Sequence, residues 1–247
     1  MEKKIILWGY TAVGKTSLLA TYFNYESLDQ RKWIKEDLDI YEHNDLKSLQ
    51  RVMQRLRLSQ HTKATVSTKE SVYNIPTKHN GIVSFTDVKG EATNRPDDDE
   101  LKAFKDSDAI LCFMEWPTPE NYNIQLGVIE FMRPFFNNRP CGLVITKAEQ
   151  HMTKDDNRWQ GGAKWLKFNN QWNQATSKFF GNNFWPATAF GYSQIADGIG
   201  CFDGHPACIR NEFGDYMPYF DRRDEQFVQD VVSRPFNTIL EKLGVLN

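Results

Sequence analysis

One stretch near the start of the chain has the residue types and spacing of a phosphate-binding loop. Gly9-Tyr10-Thr11-Ala12-Val13-Gly14-Lys15-Thr16 matches the pattern G-x-x-x-x-G-K-[ST] at every fixed position. In this pattern successive backbone N–H groups surround the phosphates, the lysine reaches the terminal phosphates, and the hydroxyl ligates magnesium. We predict that Lys15 binds phosphate and acts in catalysis, and that Thr16 ligates Mg²⁺. The predicted phosphate contacts are Gly9, Thr11, Ala12, Val13, Gly14, Lys15, Thr16 and Ser17.

The elements on either side of this loop have the order that a phosphate site requires. An apolar run at residues 4–8 predicts a buried strand before the loop, and residues 17–23 predict a helix directly after it. The N-terminus of that helix would add its positive dipole end to the site. The alternative interpretation of this stretch is a glycine-bearing turn before an ordinary helix.

A carboxylate for the metal follows a second predicted strand, at residues 81–86. The sequence there continues Asp87-Val88-Lys89-Gly90, a D-x-x-G motif that is weak by itself but informative behind a strand. We predict that Asp87 anchors magnesium through water and that the Gly90 amide contacts a terminal phosphate.

The remaining apolar runs predict the fold class. Residues 64–75 alternate in part and are expected to pair with residues 81–86 as a hairpin, with its turn at Asn80-Gly81. Short apolar runs that alternate with helical patterns indicate an α/β fold, with a mostly parallel central sheet of about six strands flanked by helices. Three further strands are predicted at residues 109–114, 142–146 and 184–189.

Two stretches are interpreted as insertions, and the chain ends in an extension over residues 192–247. Residues 26–61 are mostly polar, with one amphipathic helix predicted from the spacing of Leu46, Leu49, Val52, Met53 and Leu56. Residues 151–183 carry aromatic side chains that either pack the insertion onto the sheet or form a partner-binding surface. These are Trp159, Trp165, Phe168, Trp172 and Phe179. The extension predicts a helix at residues 224–243, in which Pro235 marks a kink or a restart.

With these motifs, the chain resembles the small Ras-like GTPases of the translation-factor-related P-loop class. It is more similar to divergent bacterial relatives, such as the double-GTPase group, than to Ras, Rab or Rho proteins. The resemblance runs from Lys3 to about Phe190 and resumes in the final helix. It implies a P-loop NTPase fold, one G domain over residues 1–247, and GTP or GDP as the ligand together with Mg²⁺.

The resemblance also assigns residues to base recognition. The family has N-K-x-D or T-K-x-D after its fifth strand, and Thr146-Lys147-Ala148-Glu149 stands at that place. Lys147 would pack on the guanine ring, and the carboxylate would accept from the ring N1–H and the 2-amino group. Glu149 replaces the usual aspartate and adds one methylene, which leaves adenine open as an alternative base. The last family motif, S-A-K, is matched loosely by Thr188-Ala189-Phe190, so Thr188 and Ala189 are expected at the base.

The family orders a switch threonine onto magnesium and the terminal phosphate. Thr65 has a spacing to Asp87 that is typical of the family, and Thr62 and Thr68 are close alternatives. Glu91 stands where the family has a glutamine that orients the attacking water. The resemblance therefore assigns catalysis to Lys15, Thr65 and Glu91, and the metal to Thr16, Thr65 and Asp87.

Two departures from the family pattern predict slow hydrolysis. Glu91 replaces glutamine, and Thr11 adds bulk where Ras has glycine. A protein partner that supplies an arginine would raise the rate by about 10³–10⁵. Arginines of the first insertion offer an internal alternative: Arg51, Arg55 and Arg57.

Composition narrows the classes of partner. The chain has 247 residues with 30 basic and 32 acidic side chains, so binding of nucleic acid through bulk positive charge is not expected. No apolar run approaches the roughly 20 residues that a membrane helix needs, and neither a signal sequence nor a lipid anchor is recognisable. We expect a cytoplasmic protein with a protein effector or activating partner.

The function predicted from the sequence is a GTP-binding switch that hydrolyses GTP slowly with Mg²⁺. Its main alternative is a nucleotide-dependent binding module with negligible hydrolysis, which Glu91 and Thr11 favour. An ATPase remains an alternative because of Glu149. A P-loop kinase is a further alternative, although residues 151–183 offer only Arg158 as a phosphate-clamping arginine.

Overall fold

In the part of the chain that the structure describes, the fold is α/β, with six strands in one mostly parallel sheet and helices on both faces. The computed structural model describes residues 2–10, 13–23, 33–35, 43–57, 71–88, 98–136, 139–189, 208–210, 216–218 and 225–246. The sheet order is β2-β3-β1-β4-β5-β6, and β2 alone is antiparallel to its neighbour. The strands are β1 (Glu2–Gly9), β2 (Ser71–Pro76), β3 (Ile82–Asp87), β4 (Ala109–Glu115), β5 (Cys141–Thr146) and β6 (Phe184–Pro186).

Helices connect most of these strands along the chain, whereas β2 and β3 follow each other directly. They are α1 (Lys15–Tyr22), α2 (Asn44–Arg57), α3 (Asp98–Asp106), α4 (Tyr122–Phe136), α5 (Asn170–Phe180) and α6 (Glu225–Lys242). Two short 3₁₀ turns follow β5, at Ala148–Gln150 and Asn157–Gln160. A separate antiparallel pair, β7 (Cys208–Arg210) and β8 (Tyr216–Pro218), lies in the extension and was not predicted.

The predicted hairpin of β2 and β3 is confirmed. Its register pairs Tyr73 with Phe85, and its turn contains Asn80 in the left-handed region at φ 56°, a conformation that asparagine tolerates. The Thr77 N–H donates to the Gly81 carbonyl, and the Gly81 N–H donates to the Thr77 hydroxyl. The predicted strand began at residue 64, but residues 58–70 lie outside the described ranges.

Helices that follow neighbouring strands cover opposite faces of the sheet. On one face, Phe85 of β3 meets Phe23, next to α1, and Phe236 of α6. On the other face, the indole ring of Trp8 in β1 contacts Phe104 of α3 and is stacked with an aromatic ring of α4. The chain therefore passes from β1 to α1 on one face of the sheet, and from β3 to α3 on the opposite face. Such a reversal opens a crevice beyond the carboxyl ends of the strands, where α/β proteins bind their ligands.

The amphipathic helix predicted in the first insertion is confirmed as α2. Leu46, Leu49 and Met53 are buried, because their face of the helix packs against α1. At its start, the Asp45 carboxylate accepts a hydrogen bond at 2.8 Å from the backbone N–H of Asn74, on the outer edge of β2. This contact covers part of an edge that would otherwise offer free backbone groups.

A short segment at residues 33–35 continues that edge. Ile34 bridges to Thr77, and the Trp33 indole N–H donates to the Tyr22 hydroxyl at 3.1 Å. The Tyr22 hydroxyl in turn donates to Asn237 of α6, and the rings of Phe23 and Trp33 lie 6.1 Å apart. The last turn of α1 is therefore held from two sides.

The aromatic residues of the second insertion contribute to the core. Trp159 and Trp172 are buried, and both indole N–H groups have partners, the Thr153 carbonyl and the Gln125 side chain, each at 2.8 Å. For these two residues the packing interpretation is confirmed. Trp165 is only half-buried and lies under the ammonium group of Lys164.

The final helix α6 is continuous through Pro235, so the predicted restart was wrong. Proline removes one backbone hydrogen bond from the helix. The apolar face of α6 is nevertheless buried before and after Pro235, from Val228 to Leu240. Packing against the sheet therefore holds the helix across the interruption. No helix in the described ranges combines the length and apolarity required to cross a bilayer.

Candidate functional site

The predicted site residues lie where parallel strands end at one edge of the sheet. Leu7 of β1 pairs with Asp87 of β3, and Gly9 pairs with Phe113 of β4. At the other side, Glu115 of β4 pairs with Thr146 of β5. Two groups of side chains gather along this edge, one around the β1–α1 loop and one around Glu149.

Two glycines shape the β1–α1 loop. A Cβ at Gly9 would lie 2.5 Å from the Phe113 carbonyl oxygen, so only glycine fits this close to β4. Gly14 has φ +96° and is the N-cap residue of α1. No described side chain caps α1, and its first turn contains no acidic residue. The N–H groups of a first helical turn point toward the helix N-terminus, and so toward the loop here, as an anion site requires.

The side chain of Lys15 turns back across this loop. Its Nζ donates to the Gly9 carbonyl at 2.9 Å and to the Tyr10 carbonyl at 3.2 Å. The residue is only 7% exposed, and burial lowers its pKa, while the Asp87 carboxylate opposes that shift. The two carbonyls thus hold a buried cation in the interior of the loop. Nearby, Val13 and Ser17 are buried and join the loop to the core.

Thr16 and Asp87 meet directly. The Thr16 hydroxyl donates to Asp87 Oδ2, and Lys15 Nζ lies 3.8 Å from Asp87 Oδ1. Burial raises the pKa of Asp87, and the Lys15 ammonium and the Thr16 hydroxyl oppose the rise. We name Lys15, Thr16 and Asp87 the loop cluster.

The oxygen donors of the loop cluster fit a magnesium ion. The Thr16 hydroxyl and the Asp87 carboxylate are both hard oxygen ligands, and they are already in contact. Magnesium in nucleotide sites takes one or two protein carboxylates and completes its shell with phosphates and water. No group of three or more His, Cys, Asp or Glu side chains occurs in the described ranges. A magnesium site that uses phosphate oxygens does not need such a group.

The second group of side chains surrounds Glu149, which lies in the 3₁₀ turn after β5. The carboxylate is buried at 7% exposure and accepts from its own backbone N–H and from the Thr188 hydroxyl. Thr188 and Ala189 follow β6 and are buried, and the Ala187 carbonyl accepts from the Ala148 N–H. The structure thus brings together the two segments that the sequence assigned to the base. Thr146 Oγ1 donates to the Met114 carbonyl at 3.2 Å, which joins β5 to β4.

Lys147 lies at the rim of this second group. Its backbone is in the left-handed region at φ 56°, and its ammonium group forms an ion pair with Glu115 at the end of β4. Both side chains are partly exposed, so the pair contributes little to stability. It does fix the direction of the Lys147 side chain. We name Glu115, Lys147, Glu149 and Thr188 the Glu149 cluster.

Glu115 was missed by the sequence analysis. A charged residue at the end of a buried strand interrupts no periodic pattern, so only its position at the carboxyl edge could have indicated a role. Tyr10 was also missed as a contact. Its hydroxyl donates to the Ile124 carbonyl at 3.4 Å and links the β1–α1 loop to α4.

Several predicted site residues lie outside the described ranges. They are Thr11, Ala12, Thr62, Thr65, Thr68, Gly90 and Glu91. Their predicted roles at the terminal phosphate, the metal and the attacking water stay predictions.

No protein-family model matches this chain, and no curated protein matches it. The geometry of the two clusters is therefore what supports a function.

Proposed function

We propose that this chain is a P-loop NTPase that binds GTP and GDP with Mg²⁺ and hydrolyses GTP slowly as a molecular switch. The observation that carries the proposal is the loop cluster. Lys15 and Thr16 come from the sequence pattern, and Asp87 comes from a separate strand, yet both contact Asp87. Lys15 and Asp87 are buried, and Thr16 is half-buried. A chance match to the pattern would not require a carboxylate from the neighbouring strand at this place.

Each residue of the loop cluster has a chemical role in this function. Lys15 places a positive charge inside the loop, where it offsets the negative charge of the phosphates. The first turn of α1 donates backbone N–H groups to the same anion. Thr16 and Asp87 would hold magnesium, which supplies charge neutralisation at the phosphates when bound.

The Glu149 cluster supports guanine as the base. An ionised Glu149 offers acceptors for the ring N1–H and the 2-amino group, which are both donors. The backbone N–H of Ala189 would meet the O6 acceptor, and the stem of Lys147 would lie against the ring. The ion pair with Glu115 would direct the Lys147 ammonium toward the end of β4 while the stem contacts the base.

Slow hydrolysis follows from Glu91 and Thr11, which replace the family's glutamine and glycine. We expect an activating partner to supply the positive charge that these residues do not. A binding module without hydrolysis is the second candidate, and the same two residues favour it.

The test is titration of the nucleotide-free chain with GTP, GDP and ATP in magnesium buffer, followed by product analysis. We expect GTP and GDP to bind tightly, ATP to bind at least about tenfold more weakly, and GDP to form slowly from GTP. Comparable or tighter binding of ATP would overturn the guanine assignment. Binding of GTP without any GDP formation would favour the binding module.

A pair of lysine substitutions tests whether the loop cluster binds phosphate. Lys15→Ala removes the buried ammonium and should weaken GDP binding by about 100-fold or more, since hydrogen bonds to charged groups contribute about 1.5–3 kcal/mol each. Lys178→Ala is the matched control, because Lys178 is an exposed lysine on α5. Unchanged GDP affinity in Lys15→Ala would refute the proposed phosphate site.

A further inference from the structure

Glu149 has one carboxylate oxygen with no hydrogen-bond donor. Its Oε2 atom is fully buried and finds no partner among the described residues, while the carboxylate accepts from its own N–H and from Thr188. A buried, ionised oxygen without a donor is costly. Such an atom requires either donors from a ligand or a proton of its own.

The surroundings allow both forms of Glu149 near neutral pH. Burial raises the pKa of Glu149 to about 7, although its own N–H, the Thr188 hydroxyl and the charge of Lys147 all favour the ionised form. Lys147 is the charged group that acts on Glu149 from its own turn, and the Glu115 carboxylate of β4 partly compensates it through their ion pair. Thr188 faces Glu149 from the loop after β6 and carries no charge.

The two forms present different edges to a purine. The ionised carboxylate has two acceptor oxygens, which suit the adjacent N1–H and 2-amino donors of guanine. In the neutral acid, the proton resides on Oε2, because the other oxygen is already engaged. The O–H group of the protonated acid then faces an N–H of the 2-amino group of guanine, so that two hydrogen-bond donors meet without an acceptor. Hypoxanthine lacks that amino group and does not need Oε2 as an acceptor.

We propose that guanine binding expels one proton from Oε2 of Glu149 to solvent, so that the site distinguishes guanine from hypoxanthine only when Glu149 is ionised. This inference rests on the proposed function of the same site. It makes Glu149 the residue that sets base selectivity, and it makes that selectivity depend on pH.

The experiment measures dissociation constants of GDP and of inosine 5′-diphosphate, IDP, for the full chain from pH 5.5 to pH 8.5 with magnesium. The two nucleotides differ only in the 2-amino group, so titration of their phosphates cancels in the ratio Kd(IDP)/Kd(GDP). We expect a ratio of about 10–100 at pH 8.5, from one hydrogen bond to a charged acceptor. The ratio should fall to within about threefold of unity at pH 5.5, with its midpoint near pH 7.

Glu149→Gln provides the matched variant, because an uncharged amide presents an NH₂ donor group on one side and a carbonyl acceptor on the other, as the neutral acid presents O–H and C=O. Its ratio should stay low and show no dependence on pH. The wild-type profile is decisive even if this variant folds poorly.

Two outcomes separate the inference from the function beneath it. A wild-type ratio that stays constant from pH 5.5 to pH 8.5, with GDP bound throughout, overturns the inference and leaves the proposed function standing. Failure of GDP to bind at every pH overturns the proposed function, and the inference falls with it.

Discussion

Replacing Glu149 with glutamine is expected to stabilise the nucleotide-free protein at alkaline pH. The reason is linkage between proton binding and folding. The pKa of Glu149 is raised from 4.5 to about 7 on folding, mainly by burial. Between these two values the folded state binds more protons than the unfolded state, so the free energy of unfolding decreases as pH rises. Above about pH 7 both states are ionised and the effect is constant.

The size of this effect follows from the two pKa values. Each unit of difference corresponds to about 1.4 kcal/mol, so the full penalty for ionising buried Glu149 is roughly 3–4 kcal/mol. Roughly 2–3 kcal/mol of it develops between pH 5 and pH 8. Glutamine has nearly the same shape and no charge, so the variant should lack this pH dependence. For a chain of this length the difference corresponds to about 5–10 °C in Tm at pH 8.

The assay is urea unfolding of wild type and Glu149→Gln at pH 5, 6, 7 and 8, in nucleotide-free buffer. The difference in unfolding free energy between the two proteins should grow in favour of the variant as pH rises. Glu130→Gln is the control, because Glu130 is exposed and forms an ion pair with Arg133 on the same helix. If the difference in unfolding free energy between wild type and Glu149→Gln does not change with pH, the claim that burial raises the pKa of Glu149 is refuted.

Two further substitutions test the loop cluster and its support. Gly9→Ala places a Cβ 2.5 Å from the Phe113 carbonyl and should destabilise the protein by about 1–3 kcal/mol in urea unfolding, whereas Gly127→Ala, in open space within α4, should stabilise it by about 0.5–1 kcal/mol. Equal effects of these two substitutions would contradict the close approach of β1 and β4. Thr16→Val removes the hydroxyl that contacts Asp87. The increase in GDP affinity on addition of Mg²⁺, measured by titration with and without Mg²⁺, should be about tenfold smaller in this variant. Thr21→Val on the same helix loses a hydroxyl that bonds to the Ser17 carbonyl, and it should leave that dependence unchanged.

The sequence predicted the sheet and the loop cluster because both depend on local signals. The run Ile5 to Trp8 is apolar on both faces, as a strand covered by helices requires, and the Asn80-Gly81 turn specifies the hairpin. Lys15 and Thr16 follow one parallel strand and Asp87 follows the next. The carboxyl ends of such strands share an edge, so the contact could be expected before any coordinates.

The details of the Glu149 cluster could not be predicted in the same way. Glu149 accepts a hydrogen bond from Thr188, which comes from the loop after β6, and Lys147 forms an ion pair with Glu115 of β4. These partners are distant in sequence and follow no periodic pattern. The β7–β8 pair was missed because strands of three residues are too short to show a periodic pattern in the sequence.

The ring contact between Phe23 and Trp33 has a consequence for how this chain can vary in length. The ring centroids of these two residues lie 6.1 Å apart, although nine residues separate them in the sequence. The two ends of that connection are therefore fixed by α1, β3 and α6, and not by the connection itself. The entropy of closing a loop between fixed ends grows only with the logarithm of its length, by about 0.6 kcal/mol for each doubling. The closure entropy alone therefore penalises a longer connection between Phe23 and Trp33 only slightly.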